Sequence, residues 1–221
     1  MRGRSYYQPS GTSTNGRPYA DIFVRRVHKL LGQGYATLRP GEFACAEEED
    51  ITGKLVEAIE AFLDAADAPR WTSRFSVHEE PRVHDRVRKG KRRLRLDVRI
   101  DSSQTRPRAR LRFEAKRLGP GHGASVYLGS DGIHCFLDGR YARDDAFAGM
   151  LGYVQAGTPE EWALKIEQAI TTNAAELCLR ESGHWRSERL AVELSSTFRS
   201  GHDRPNVGCP IEIFHTLLLF N

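Results

Sequence analysis

Two carboxylates and a lysine stand out by their spacing: Asp97 is followed 17 residues later by Glu114-Ala115-Lys116. Both stretches that carry them alternate apolar and polar residues. From Arg93 to Asp101, Leu94, Leu96, Val98 and Ile100 share one face, and Arg93, Arg95, Asp97, Arg99 and Asp101 the other. From Ala109 to Arg117, Ala109, Leu111, Phe113 and Ala115 alternate with Arg110, Arg112, Glu114 and Lys116. Period two over this length predicts half-buried strands, and the polar connection Ser102 to Arg108, with Pro107 inside it, predicts an antiparallel hairpin. If Asp101 faces Arg108, then Asp97 faces Arg112 and Glu114 faces Arg95; a slip of two residues sets Asp97 opposite Glu114. In either register the polar faces coincide, because both apolar faces must turn to the core. Asp97, Glu114 and Lys116 then project together, within roughly 5–8 Å of one another, with Asp101 further along the hairpin. Two carboxylates so close repel unless a cation lies between them. Hard oxygen donors on a phosphate-facing surface suit Mg²⁺, which takes one or two carboxylates and completes its shell with substrate. A lysine on the same face can orient an attacking water or stabilise a pentacovalent phosphorane, while the metal lowers the pKa of that water. The chemistry implied is phosphodiester hydrolysis. The plainer reading of the same residues is ion pairing, with Asp97 and Glu114 neutralised by arginines such as Arg95 and Arg112.

Charge favours a phosphate-facing surface. The 221-residue chain carries a net +4, but Arg82 to Arg117 alone hold 15 Lys and Arg against four acids, a local +11 that leaves −7 for the rest. Such an excess is the footprint expected of a nucleic-acid surface, with Arg93, Arg95, Arg99 and Arg112 as candidates to meet phosphates; a solvated basic hairpin is the alternative. The four cysteines, Cys45, Cys135, Cys178 and Cys209, are scattered without a C-x-x-C pair. This argues against a disulfide framework, and Cys178, His184, His202 and Cys209 match no zinc spacing. No apolar run reaches the roughly 18 residues of a membrane span, and the first residues lack the apolar centre of a signal peptide. The expectation is a reduced, cytoplasmic protein with no membrane partner.

The elements that must position the hairpin are readable in part. Residues 1–18 are polar and rich in Gly, Ser and Thr, and are expected to be a disordered tail, with one domain over 19–221. Ile22, Phe23, Val27, Leu30 and Leu31 recur at helical spacing, with Gly32 and Gly34 as expected stops. A second helix is predicted from about Glu47 to Ala66, and β character from Trp71 to Val87 despite Pro81. Past the hairpin, Val126–Leu128 and Ile133–Leu137 read as short strands. Asp144–Gln155 reads as a helix of small residues, and Thr158, Pro159 and Glu161 as the start of a helix reaching about Leu179. Strand-like runs at Glu188–Phe198 and Ile211–Phe220 end the chain. Strand clusters with helices before and after predict a single α/β or α+β domain.

With these residues in place, the chain resembles the PD-(D/E)XK superfamily of restriction-endonuclease-like nucleases. The resemblance rests on Asp97, on Glu114-Ala115-Lys116, on Phe113 to Leu118, and on the later Gly132-Ile133, Phe136, Gly139 and Gly149 to Val154. Leu96 stands where the superfamily loosely keeps a proline before the aspartate. The resemblance implies a mixed β-sheet flanked by helices. It also implies Mg²⁺, with Mn²⁺ as a substitute, held by Asp97, Glu114 and the carbonyl of Ala115, with Lys116 assisting the water. DNA is the implied substrate, in restriction or anti-phage defence, and a homodimer or partner subunit the implied assembly. The rival is a non-catalytic or ligand-activated nucleic-acid-binding subunit of a larger defence complex.

A glutamate on the first core helix completes such sites in many superfamily members. Glu48, three and seven residues before Ile51 and Leu55 and so on the inward face, is the choice, with Glu49 turned roughly 100° away as second. An acid favoured merely by the helix dipole is the alternative. Gln155 could touch the site. His202 and Arg204, in Ser200-Gly201-His202-Asp203-Arg204, could contact phosphate or base or simply form a turn, and His122 in the Gly119–Gly123 loop could reach substrate.

Overall fold

Apolar stripes at helical spacing build the first two elements. The structure, a computed structural model, describes residues 17–79 and 95–221, with side chains from residue 19 onward. The predicted tail to residue 16, the later half of the Trp71–Val87 run, and Arg93 and Leu94 lie outside the described residues. Helix α1 (Arg17–Thr37) runs straight through both predicted stops. Gly34 is there because a Cβ would sit 2.6 Å from the Ile59 side chain. Its absence lets α1 close on α2 (Glu48–Asp64), which offsets the cost of about 1 kcal/mol of a mid-helix glycine. Val27, Leu30 and Leu31 of α1 and Ile51, Leu55 and Ile59 of α2 are buried in one apolar cluster.

Seven strands form one mixed sheet, β1 (Phe75–Glu79), β2 (Val98–Ser102), β3 (Ala109–Leu118), β4 (Phe147–Val154), β5 (Arg186–Ser187), β6 (Thr197–His202) and β7 (Ile211–Leu219). Their order is β1-β2-β3-β4-β7-β6-β5. The outer pairs are antiparallel, while β3/β4 and β4/β7 are parallel. The helices α1 and α2 pack with Val98, Ile100, Leu111, Phe113, Ala115, Leu151 and Tyr153 on one face. On the other face α3 (Ala124–Leu128), α4 (His134–Leu137) and α5 (Pro159–Thr172) pack with Leu118, Ala148, Met150, Val154 and Leu217. The result is a single α+β domain with helices on both sides of the sheet. No helix among the described residues is long and apolar enough to cross a membrane.

Several predicted elements are corrected. Val126–Leu128 and Ile133–Leu137 are not strands: the first lies in the short helix α3, and in the second Ile133 caps the short helix α4. The predicted helix Asp144–Gln155 is the central strand β4, whose small residues serve sheet packing. A Cβ on Gly149 would stand 2.1 Å from the Phe113 ring, and one on Gly152 would stand 2.6 Å from Leu217. The run Glu188–Phe198 is a strand only at its end, because Leu194 leaves the sheet plane to join the α1 cluster. Ser200-Gly201-His202, read as a loop, lies within β6. The Thr158 start signal forms as a reciprocal capping box with Glu161, but α5 stops at Thr172, short of Leu179.

Candidate active site

The β2–β3 hairpin pairs Val98 with Phe113 and Asp101 with Arg110, the second of the two registers considered above. One step further out, Asp97 comes opposite Glu114. Leu96 does not continue the apolar face of Val98 and Ile100; it joins the opposite cluster with Leu118, so the chain bends at Asp97 as it enters β2. The bend lets the Asp97 carboxylate accept a hydrogen bond from the Ala115 N–H at 2.6 Å. Glu114 and Lys116, two apart on β3, share a face. The Lys116 Nζ donates to Glu114 Oε1 at 3.1 Å, to Glu48 Oε1 at 2.9 Å and to the Ala115 carbonyl at 2.5 Å. Glu48, the first residue of α2, also accepts from the Arg117 N–H at 3.2 Å through Oε2, while Glu49 is exposed. The structure thus brings Asp97, Glu114, Lys116 and Glu48 together.

The electrostatics follow from burial. Glu114 and Lys116 are both buried. Burial, helped by the Asp97 charge, pushes the Glu114 carboxyl up to about 8 against the pull of Lys116. Burial likewise lifts Asp97 to about 6, opposed by the Ala115 hydrogen bond and by Lys116. For Lys116 burial works against the charge, but Glu114, Glu48 and Asp97 outweigh it and raise its pKa. Glu114 Oε2 is buried with no hydrogen-bond partner.

Neighbouring residues fix this geometry. Gln155, just past β4, donates from Nε2 to the carbonyls of Phe43 and Ala46, both at 2.8 Å. Arg117 pairs with Glu47 at 2.8 Å. Between them they hold the segment that delivers Glu48, so Gln155 acts on the chain leading to the cluster. Tyr141, which no sequence pattern marks, donates its hydroxyl to the Arg95 carbonyl. Its pKa is raised by burial and then by the nearby charge of Glu114.

The remaining candidates are placed less favourably. Arg112 is ion-paired with Asp145, and its pKa falls to about 10 through burial and then through Arg110 and Arg99. Arg99 pairs with Asp101 at 3.2 Å, Arg95 is exposed, and His122 is half-buried in the turn that closes on Gly119. Two expectations are corrected. Arg204 is buried and donates to the carbonyls of Phe136, Ala142, Arg143, Asp145 and Cys209, so it ties loops together and does not face a ligand. His202 is buried in a chain of hydrogen bonds: Tyr127 Oη to His215 Nδ1 at 3.1 Å, His215 Nε2 to Ser200 Oγ at 2.8 Å, Ser200 Oγ to His202 Nε2 at 2.7 Å, and His202 Nδ1 to the Leu177 carbonyl at 2.8 Å. A carbonyl only accepts, so Nδ1 of His202 carries the proton. Each earlier link must then donate forward, from Tyr127 through His215 and Ser200 to His202, with both rings neutral.

Among the described residues, no group of three or more His, Cys, Asp or Glu side chains is disposed to hold a metal ion. Asp97, Glu114 and the Ala115 carbonyl nevertheless make a hard oxygen set of the kind Mg²⁺ accepts with waters retained. Three carboxylates against one ammonium leave two negative charges when all are ionised, and Glu114 Oε2 is a buried acceptor without a donor. The donor chemistry suits a divalent cation, although the Ala115 carbonyl and Glu114 Oε1 already accept from Lys116. Comparison with protein-family models, curated proteins and solved structures found no match.

Proposed function

We propose that this chain is a Mg²⁺-dependent nuclease of the PD-(D/E)XK type that hydrolyses DNA phosphodiester bonds, in restriction or anti-phage defence. The observation that carries the reading is Glu114, buried beside Asp97 with one oxygen unpartnered and Lys116 on the same face. Asp97, Glu114 and the Ala115 carbonyl would hold the metal. When bound, Mg²⁺, or Mn²⁺ in its place, lowers the pKa of a water and stabilises charge developing on the phosphate. Lys116 presents its ammonium to the attacking water and to the phosphorane oxygens. Glu48 keeps that ammonium in position and anchors β3 through the Arg117 N–H. The ends expected are 5′-phosphate and 3′-hydroxyl.

One observation favours a second reading. The Lys116 ammonium already sits between Glu48 and Glu114, so the cluster is partly self-neutralised, as a purely structural ion-pair network would be. The chain would then be a nucleic-acid-binding subunit that does not cut, or one that cuts only after a ligand or partner rearranges Lys116. Cleavage of supercoiled plasmid with Mg²⁺, Mn²⁺ or EDTA separates the readings. The nuclease nicks only with metal, and Asp97→Ala and Lys116→Ala abolish nicking with folding intact by circular dichroism. A wild type that shifts DNA in a gel but never cuts it favours the second reading, and cleavage that survives both substitutions overturns the first.

A further inference from the structure

Away from the cluster, three segments meet at the far end of the hairpin. Residues 22–37, 68–76 and 102–113 together carry nine Lys and Arg and no Asp or Glu. Their meeting is built by specific contacts. Ser103 N–H donates to the Arg74 carbonyl at 2.8 Å, Arg26 donates to Gln104 Oε1 at 3.2 Å, and Arg26 and Lys29 lie 5.7 and 5.9 Å from the Trp71 ring centroid. Thr105 braces the hairpin tip, donating to the Pro107 carbonyl at 2.9 Å and accepting from the Ala109 N–H at 3.2 Å. On this frame Arg74, Arg106, Arg108 and Arg110 are exposed, and none of them pairs with a carboxylate among the described residues.

We propose that this surface, formed by the hairpin tip and the Trp71–Arg74 turn, is a clamp for the phosphate backbone of nucleic acid, separate from the Asp97–Glu114–Lys116 cluster. Arg112 among the nine is paired with Asp145, but the four exposed arginines hold like charges close together with no ion-pair partner among the described residues, and a polyanion relieves their repulsion. The exposed set is arginine, whose planar fork binds phosphate oxygens in pairs. Ile22 is the one large exposed apolar residue on these segments, so there is no apolar stripe to enter a lipid surface. Arg110 and Glu114 are four residues apart on β3, about 13 Å at ~3.3 Å per residue, and the tip lies beyond. The clamp therefore grips a duplex about four or more base pairs from the bond at the cluster, at ~3.4 Å per pair. Its role in cleavage rests on the nuclease reading; its binding of phosphates does not.

The test is fluorescence anisotropy of the full chain in EDTA with a labelled duplex DNA, and with single-stranded DNA and RNA of the same sequence, over about 50–200 mM salt. The double variant Arg106→Ala/Arg108→Ala is expected to bind the duplex tenfold or more weakly, with the slope of log affinity on log salt shallower by about two. Arg106→Lys/Arg108→Lys should keep most of the slope. The relative losses with duplex, single strand and RNA show which form the clamp takes. Unchanged affinity and slope in the double alanine variant overturn the clamp. So does binding to phosphatidylserine vesicles, or to an acidic polypeptide, without binding to any of the three nucleic acids. Because cleavage plays no part, failure of the nuclease reading leaves this result standing.

Discussion

Glu114 has one carboxylate oxygen held by Lys116 and the other buried without a partner, and its behaviour with pH follows from that. Its folded pKa, about 8, lies above the ordinary value of 4.5. The protonated form is thus favoured by folding; this contribution is fully present below about pH 4.5 and is lost as pH rises through about 8. Asp97, lifted to about 6, behaves alike over a lower window. A tenfold change in a group's proton affinity on folding is worth about 1.4 kcal/mol. Glu114→Gln, which cannot ionise, should therefore stabilise the metal-free protein against urea at pH 9 and change little at pH 4.5. A loss of stability at pH 9 would mean that the ionised carboxylate is well solvated or fully paired. Ser200→Ala tests the buried relay in the same way. It orphans the proton on His215 Nε2 and the lone pair on His202 Nε2, at an expected cost of about 1–3 kcal/mol for each unsatisfied group. Denaturant unfolding that shows no loss would contradict the directed chain.

At the level of elements, the close fit of β3 to β4 is the feature most exposed to mutation. Gly149→Ala would drive a methyl into the Phe113 ring and should cost about 1–3 kcal/mol by overpacking. Phe113→Leu in the same chain should recover part of that loss, a non-additivity of at least about 0.5 kcal/mol in a double-mutant cycle. Strict additivity would show that the two residues do not share the space. This strand also marks the boundary of what the sequence makes legible. The hairpin is readable because β2 and β3 bury one face and leave the other polar, so period two survives in the letters. In β4, Leu151 and Tyr153 face one cluster while Ala148, Met150 and Val154 face the other. A strand covered on both faces loses its alternation, and its glycines mimic a small-residue helix. Gly34 misleads for the same reason: it answers to Ile59, which is distant in sequence. Glu48 is legible because the phase of Ile51 and Leu55 turns it inward. Tyr141 and the burial of His202 and Arg204 depend on loops meeting in space, which no local spacing encodes.

For the molecule as a whole, acid sensitivity should come from buried histidines. His28 and His202 are both brought to about 4 by burial, against backbone hydrogen bonds that work the other way, and burial and then His202 also lower His215. Folded values below the ordinary 6.5 mean stability that is present above about pH 6.5 and lost as pH falls through about 4. Between those limits the unfolded chain binds more protons, so stability rises with pH there. Glu114 and Asp97 oppose this trend over the upper part of the window. Glu114→Gln should therefore steepen the rise of unfolding free energy between about pH 4.5 and 6.5, and a shallower rise would mean that the carboxylates are not acting as described. The two ends of the β2–β3 hairpin differ in chemistry, with exposed arginines at the tip and an oxygen cluster at the open end. The most direct test of the cluster is a calorimetric Mn²⁺ titration at pH 7.5 in buffers of different ionisation enthalpy, for the wild type, Asp97→Ala and Glu114→Gln. The wild type is expected to bind saturably with release of protons, chiefly from Glu114, and both variants to lose that binding. A wild type that binds no metal, or binding that survives both substitutions, would contradict that expectation.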